Sequence, residues 1–268
     1  MKQLKVKITE HKRIAQGFYK MRLASAYLAK NSKPGQFVEI KCSKGHEVLL
    51  RRPLGVHRIL NSGIEVLYEV IGRGTKSLSA KKKGDLLDVI GPIGNGFEFF
   101  GDKKPVMLVA GGIGVAPLLA LAEKIAWKKM KPYVMIGART ASHILCEKEF
   151  KELGCFVRVA TEDGSKGHKG YVTDIARHLL TVVKCRLSEI YACGPRPMLK
   201  AIGHIAASSG IPCQVSMEER MACGIGVCLG CPIKVYKDST QYSIHNTQYQ
   251  YKMVCKDGPV FDAREIAW

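Results

Sequence analysis

The sequence predicts a multi-domain α+β fold: an antiparallel β-barrel over residues 1–101, a doubly wound α/β domain over 102–212 and a small C-terminal module over 213–268. Three observations predict it. Residues 4–100 run in short alternating stretches broken by turn residues. After Lys104 apolar strands and helical stretches alternate four times. From Cys213 that rhythm stops, and Cys223, Cys228, Cys231 and Cys255 crowd the remaining segment.

In the first domain the strands are read from LKVKITE, FVEIKC and IEVLYEV, with turns at Pro34-Gly35, Asn61-Ser62-Gly63 and Gly91-Pro92. No long 3.6-residue apolar period interrupts them, so the domain is expected to be all-β. In the second, strands are expected at 106–110, 133–137, 156–161 and 190–193, and helices at 116–129, 144–153, 172–183 and 197–208. Such alternation makes a parallel sheet covered on both faces. The third module contains a polar stretch, 237–250, that reads as a hairpin. It is too short to fold on apolar burial alone, so a metal centre would also be its staple.

The chain has 268 residues, 46% hydrophobic and 24% charged, a composition that excludes disorder as its dominant state. No apolar run approaches the roughly 20 residues of a membrane-spanning helix. The N-terminal MKQLKVKITEHKR lacks the apolar core of a signal peptide. A cytoplasmic protein is therefore expected, and in a reducing compartment clustered cysteines read as metal chemistry rather than disulfides. The formal net charge is +19, from 42 Lys+Arg against 23 Asp+Glu. The lysines at 2, 5, 7, 12, 81–83, 103, 104, 128, 129 and 131 are spread along the chain, and no recognition helix, basic aromatic strand or zinc finger accompanies them. Nucleic acid is not the expected partner, and the lysines read as solvated surface or as steering for an acidic protein.

The motifs point to redox chemistry. Cys223-Gly-Ile-Gly-Val-Cys228-Leu-Gly-Cys231, followed later by Cys255, has the C-x4-C-x2-C…C spacing of a plant-type [2Fe–2S] site. Glycines 224, 226 and 230 would let the backbone curl and aim N–H groups at anionic sulfur. A structural zinc site, which favours paired knuckles, leaves those glycines unexplained. Gly111-Gly112-Ile113-Gly114 stands where a strand meets a helix and could hold a pyrophosphate, although a glycine turn serving only tight packing fits equally. Cys193-Gly194-Pro195 ends a later parallel strand, where ligands of such sheets bind. Cys193 lies there beside a nicotinamide or is a small buried residue. In the barrel, Arg51-Arg52-Pro53-Leu54-Gly55 and Gly72-Arg73-Gly74-Thr75 combine fixed backbone shape, cation and hydroxyl, as a flavin with its pyrophosphate requires; a surface arginine pair and a plain glycine turn would look the same.

In the order RRPLGVH, GRGT, GPIGNGF, VAGGIGVAPLLALA, CGPRPML, SMEERMACGIGVCLGC and VCKDGPVFDAREIAW, the chain resembles the ferredoxin reductase-like flavoproteins over nearly its whole length. Within them it is similar to the branch of electron-transfer subunits of NAD-dependent dihydroorotate dehydrogenases, for which the MEERMACGIGxCxGC and CKDGPVF stretches are specific. The resemblance implies an FAD-binding barrel, an NAD-binding α/β domain and a [2Fe–2S] module held by the four clustered cysteines. It implies that Arg52, Pro53, Leu54 and Gly55 meet the flavin ring, that Tyr68, Glu69 and Val70 form the strand beneath the FAD, and that Gly74 and Thr75 meet its pyrophosphate. Gly55 and Glu69 depart from the family, which often has Ser and Arg there. It further implies a partner, an FMN-containing catalytic subunit that oxidises dihydroorotate in de novo pyrimidine (UMP) biosynthesis, in a heterotetramer with two of each subunit. Electrons would then leave that FMN singly, cross the cluster and FAD, and reach NAD as a hydride, so no general acid or base is expected here. A related reductase working between NADP(H) and ferredoxin or a hydrogenase, with Arg139 meeting a 2′-phosphate, is the alternative. A redox-sensing binding module is a third.

Overall fold

A computed structural model describes residues 1–43, 45, 47–99, 104–183, 187–237 and 249–268. The expected boundary at 101/102, Lys103, Cys185 and the tip of the expected hairpin at 238–248 lie outside the described residues.

Six strands close an antiparallel barrel in the order β1-β2-β5-β4-β3-β6: β1 (Lys2–Ala15), β2 (Phe18–Ala24), β3 (Phe37–Ile40), β4 (Arg52–Leu60), β5 (Gly63–Glu69) and β6 (Leu86–Ile93). Alternate residues of each fill the interior: Val6 and Ile8, Met21 and Leu23, Val38 and Ile40, Leu54 and Val56, Ile64 and Val66, Leu87 and Val89. The turn from β1 to β2 is short, with Gly17 at φ +80° supplying the left-handed residue it needs. The domain is not all-β. Helices α1 (Ala26–Asn31) and α2 (Arg73–Ser79) each sink one fully buried leucine, Leu28 and Leu78, into the barrel core. Their signals are caps rather than periodicity. Ser25 Oγ accepts the Leu28 N–H at 3.2 Å, and Thr75 closes a box with Gly72, over helices too short for an apolar period to show.

The α/β domain follows the expected rhythm: β7 (Met107–Gly111), α3 (Val115–Trp127), β8 (Tyr133–Ala138), α4 (Glu147–Glu152), β9 (Phe156–Thr161), β10 (His168–Lys169), α5 (Val172–Val183), β11 (Ile190–Cys193), α6 (Arg196–Ser208) and β12 (Cys213–Ser216). The sheet order is β10-β9-β8-β7-β11-β12-β15, all parallel except β12 with β15 (Val260–Asp262). From β7 the chain winds outward one way through β8 and β9, then returns to the other side of β7 with β11. The switch point, where ligands of such sheets bind, lies between the carboxyl ends of β7 and β11.

The third module differs from its expected extent. Residues 213–216 are not its start but the parallel neighbour of β11, and β15 (Val260–Asp262) returns to pair antiparallel with β12, Ser216 opposite Val260. Between them stand the cysteine loop, β13 (Pro232–Tyr236), β14 (Tyr249–Met253) and α7 (Val254–Asp257). The expected hairpin appears through its arms, paired from Pro232↔Met253 to Tyr236↔Tyr249. Cys231, Ile233, Val235, Val254 and Cys255 share one core with Ile202 and Ile205 of α6 and with Phe37 of the barrel. The module therefore has no separate core, because the sequence periodicity that flags a core ends where the glycines begin.

Candidate functional site

Barrel, switch point and the segment that leads into the cysteine loop meet around one cleft of about 590 Å³. Its walls are residues 50–53 at the start of β4, residues 194–196 where β11 turns into α6, and residues 217–221 leaving β12. Arg52 and Pro53 thus face Gly194 and Pro195, two pairs that the sequence places in separate domains. Arg52 also crosses Gly74, where an added Cβ would stand 2.5 Å from its Nε, so the two expected flavin segments touch. Gly55 lies beside α3, with Pro117 3.9 Å from where its Cβ would be, and has room for the serine common in the family.

Other expected contacts are placed differently. The GRGT segment is the first turn of α2 rather than a plain turn, and the Thr75 hydroxyl is engaged there, accepting from Ile71 N at 3.0 Å and Gly72 N at 3.3 Å. Leu54 points into the barrel core, as does Tyr68, whose hydroxyl bonds His11 Nε2 at 2.9 Å; both can offer a ligand only backbone. Val70 is half-buried and gives its N–H to Gly17 O at 2.8 Å. Glu69 is half-buried and close enough to Glu218 to act on its charge.

The glycine loop is also a packing device. A Cβ at Gly111 would stand 2.6 Å from Met198 Sδ, and one at Gly114 would stand 2.3 Å from Cys193 O. These two glycines interlock the loops at the switch point. Gly112, at φ +54° with nothing within 4 Å, is the one left facing open space ahead of α3. Burial pushes the largely buried Cys193 thiol up to about 12, which favours its protonated form.

The cysteine loop is built around its sulfurs. Cys223 Sγ accepts N–H groups from Ile225 at 3.5 Å and Cys228 at 3.4 Å. Cys228 Sγ accepts from Gly230 at 3.4 Å, Cys255 Sγ from Gly226 at 3.1 Å, and Cys231 Sγ from Cys255 at 3.4 Å. Left-handed residues make the curl: Gly224 at φ +68°, Gly226 at +82° and, in place of the expected Gly230, Leu229 at +55°. Burial raises the Cys223 thiol, but the N–H groups of Cys228 and Ile225 outweigh it and bring it down to about 6. Burial and then the facing Cys231 thiol push Cys255 up. The sulfurs form two facing pairs, Cys223 with Cys228 and Cys231 with Cys255, while no single point among the described residues collects three ligating side chains. Two thiolate pairs under an N–H cradle fit a two-iron centre better than one zinc ion.

Two features escaped the sequence. Glu218 lines the cleft, where enclosure and then the carboxylates of Glu219 and Glu69 raise its own carboxyl. Glu39 of β3 is 1% exposed, and neither carboxylate oxygen has a hydrogen-bond partner. An added Cβ at Gly224 would stand 2.5 Å from Glu39 Oε1, which places the cysteine loop directly on the barrel. Burial raises the Glu39 carboxyl to about 7 against the pull of Arg51. The cysteine loop packed outside β3 covers it.

Residues 218–267 match the iron–sulfur cluster binding domain of dihydroorotate dehydrogenase B, and residues 108–204 match the oxidoreductase NAD-binding domain. The chain is 41% identical, over 98% of both chains, to the dihydroorotate dehydrogenase B (NAD(+)) electron transfer subunit of Caldanaerobacter subterraneus subsp. tengcongensis. It is 36% identical to the one of Desulforamulus reducens, over 95% of this chain and 94% of that one. Among solved structures, that of an NADH-dependent reduced ferredoxin-NADP oxidoreductase superposes with TM-score 0.83 at 33% identity, covering 98% of this chain and 90% of that chain. A ferredoxin reductase of carbazole 1,9a-dioxygenase, at 20% identity and TM-score 0.67 over 79% of this chain and 67% of that one, shares the fold.

Proposed function

The chain belongs to the family of electron transfer subunits of NAD-dependent dihydroorotate dehydrogenase B, and from that premise we propose that it passes electrons from a dihydroorotate-oxidising, FMN-containing subunit to NAD+. The [2Fe–2S] centre, when bound, supplies single-electron transfer, and FAD converts single electrons to the pair that NAD takes as a hydride. One observation carries the reading: β3 and β4 are neighbours, and each touches a different redox site. Through Glu39, β3 lies under the cysteine loop, while the start of β4 faces the 194–196 loop of the nucleotide domain.

The residues divide the work accordingly. Cys223, Cys228, Cys231 and Cys255 hold the cluster, and their N–H partners offset its negative charge. Arg52, Pro53 and Gly55, with backbone of Leu54 and Tyr68–Val70 and the Gly74–Thr75 turn of α2, hold FAD within 1–101. Gly112, with the Gly111 and Gly114 backbone and the Cys193–Pro195 loop, holds NAD within the α/β domain. No described helix is long and apolar enough to cross a membrane, and we assign the complex to the cytoplasm. The partner docks on the cysteine loop, where Cys228 is exposed and Ile225, Val227 and Leu229 are 41%, 75% and 65% exposed, an apolar rim on the cluster's outward side.

Co-purification with the partner should give a two-plus-two complex that reduces NAD+ on addition of dihydroorotate. A complex without FMN and inert to dihydroorotate overturns the reading. Faster flavin reduction by NADPH than by NADH would favour the ferredoxin-NADP type of reductase, with exposed Arg139 as its 2′-phosphate contact.

A further inference from the structure

We propose that His57 and Arg58 form a two-point clamp that holds helix α3 on the flavin strand, which makes both of them positioning residues for hydride exchange between nicotinamide and flavin. The proposal rests on the functional reading above. Its origin is a β-bulge. Strand β4 pairs with β5 through Val56↔Val66 and then Arg58↔Glu65, so His57 has no opposite residue. Bulges re-aim side chains. In a regular strand neighbours 57 and 58 would point to opposite faces; here both reach α3.

The two contacts are unlike in chemistry and well separated. His57 is fully buried, and its Nδ1–H donates to Ala116 O at 2.8 Å in the first turn of α3. Its other ring nitrogen can accept from the Cys146 S–H at 3.9 Å, with Glu65 Oε1 3.8 Å away. Arg58 Nε donates to Glu123 Oε1 at 2.6 Å. Ala116 and Glu123 are two turns apart, roughly 10 Å along the axis. One contact would leave α3 free to pivot, whereas two fix its tilt as well as its distance.

The clamp sits where a small tilt matters. Upstream on β4 are Arg52 to Gly55, and the loop opening α3 is Gly112 to Gly114. Pro117 of α3 meets the Gly55 position, so the helix that the clamp holds also touches the flavin segment. Hydride transfer is sensitive to such geometry, since a misplacement of about 1 Å can cost on the order of 100-fold in rate.

The experiment replaces His57 by Phe, which fills the site without a donor, and by Asn, whose amide N–H can take the place of Nδ1–H. In the FAD-loaded chain, His57→Phe should slow flavin reduction by NADH by roughly tenfold or more and weaken the long-wavelength nicotinamide–flavin charge-transfer absorbance, with the flavin potential unchanged. In the FAD-free chain, amide exchange over 115–123 should quicken. His57→Asn should return the rate to within about threefold of wild type. Arg58→Met and Glu123→Gln should each slow reduction by about threefold, and the double variant should be no slower than either.

A His57→Phe chain that keeps rate, absorbance and exchange overturns the clamp, and so does a His57→Asn chain as impaired as His57→Phe. If His57→Phe does not fold, unchanged rates in Arg58→Met and Glu123→Gln overturn it, and slowed rates with no additivity support it. A wild-type chain whose FAD is not reduced by NADH defeats the functional reading instead, and the exchange measurement then decides the clamp alone.

Discussion

The barrel makes two junctions, and they differ in how their buried polar groups are paired. Toward the nucleotide domain it offers paired polar groups: His57 to Ala116 O, Arg58 to Glu123, and Lys20 to Glu149 at 2.5 Å. Toward the cysteine module it offers apolar Phe37, Asn95, whose backbone N–H and Nδ2 donate to Gly258 O at 2.5 Å and Asp257 O at 2.9 Å, and a buried carboxylate, Glu39, with no hydrogen-bond partner. Hydrogen bonds set direction, so the first junction fixes the angle between flavin and nucleotide sites. At the second, the Asn95 hydrogen bonds set direction at residues 257–258, while under the cysteine loop itself Glu39 meets its neighbours with no hydrogen bond.

The sharpest way to break this contrast is Cys231→Ser. It should abolish the cluster's visible absorbance and iron content and let residues 217–259 loosen, while FAD binding and flavin reduction by NADH persist. Absorbance spectra and hydrogen exchange on one sample check both halves, and loss of NADH-driven flavin reduction would show that the junctions are not independent.

Acid should act on the first junction. Burial holds His57 down at about 4, against an ordinary value of 6.5. The unfolded chain therefore binds a proton that the folded chain refuses, and stability present above pH 6.5 is lost as pH falls toward 4, by about 3 kcal/mol in all. Denaturant midpoints at pH 7.5 and 4.5 measure it, and His57→Asn should flatten this part of the profile.

The second junction should answer in the opposite sense. Glu39 has its carboxyl raised to about 7, so its neutral form is favoured and stability falls as pH rises from 4.5 through 7. Glu39→Leu removes two unsatisfied oxygens and should stabilise the chain by about 2 kcal/mol, more at pH 8 than at pH 5. A variant no more stable at either pH would mean that the carboxylate has a partner in the loaded protein. The smallest effect belongs to Lys20→Met, which removes one ion pair of the first junction at a cost of about 1 kcal/mol in thermal or denaturant unfolding.

What the sequence made legible follows the reach of its signals. Cysteine spacing, the strand–helix rhythm and the glycine loops are local patterns, and the structure places the sulfurs and the switch-point loops accordingly. Helices α1 and α2 were hidden because a single turn or two shows no period, and only Ser25 and Thr75 mark them. Leu229 in the left-handed region carries no composition signal, since glycine is the residue that advertises such a turn. His57, Arg58 and Glu39 were invisible for a different reason. Their roles depend on which distant element packs over a barrel strand, and a register slip at one residue decides where the first two point.

The return of β15 to β12 has a consequence for metal assembly. Residues 217–259 leave the sheet at Ser216 and rejoin it at Val260, directly opposite. The entropy of closing so long a loop is therefore borne by a ladder of backbone hydrogen bonds, not by iron. Cys255 lies shortly before Val260 in the chain, so the same ladder brings it toward Cys223, Cys228 and Cys231, and the free energy of cluster binding is left to order the ligand loop itself.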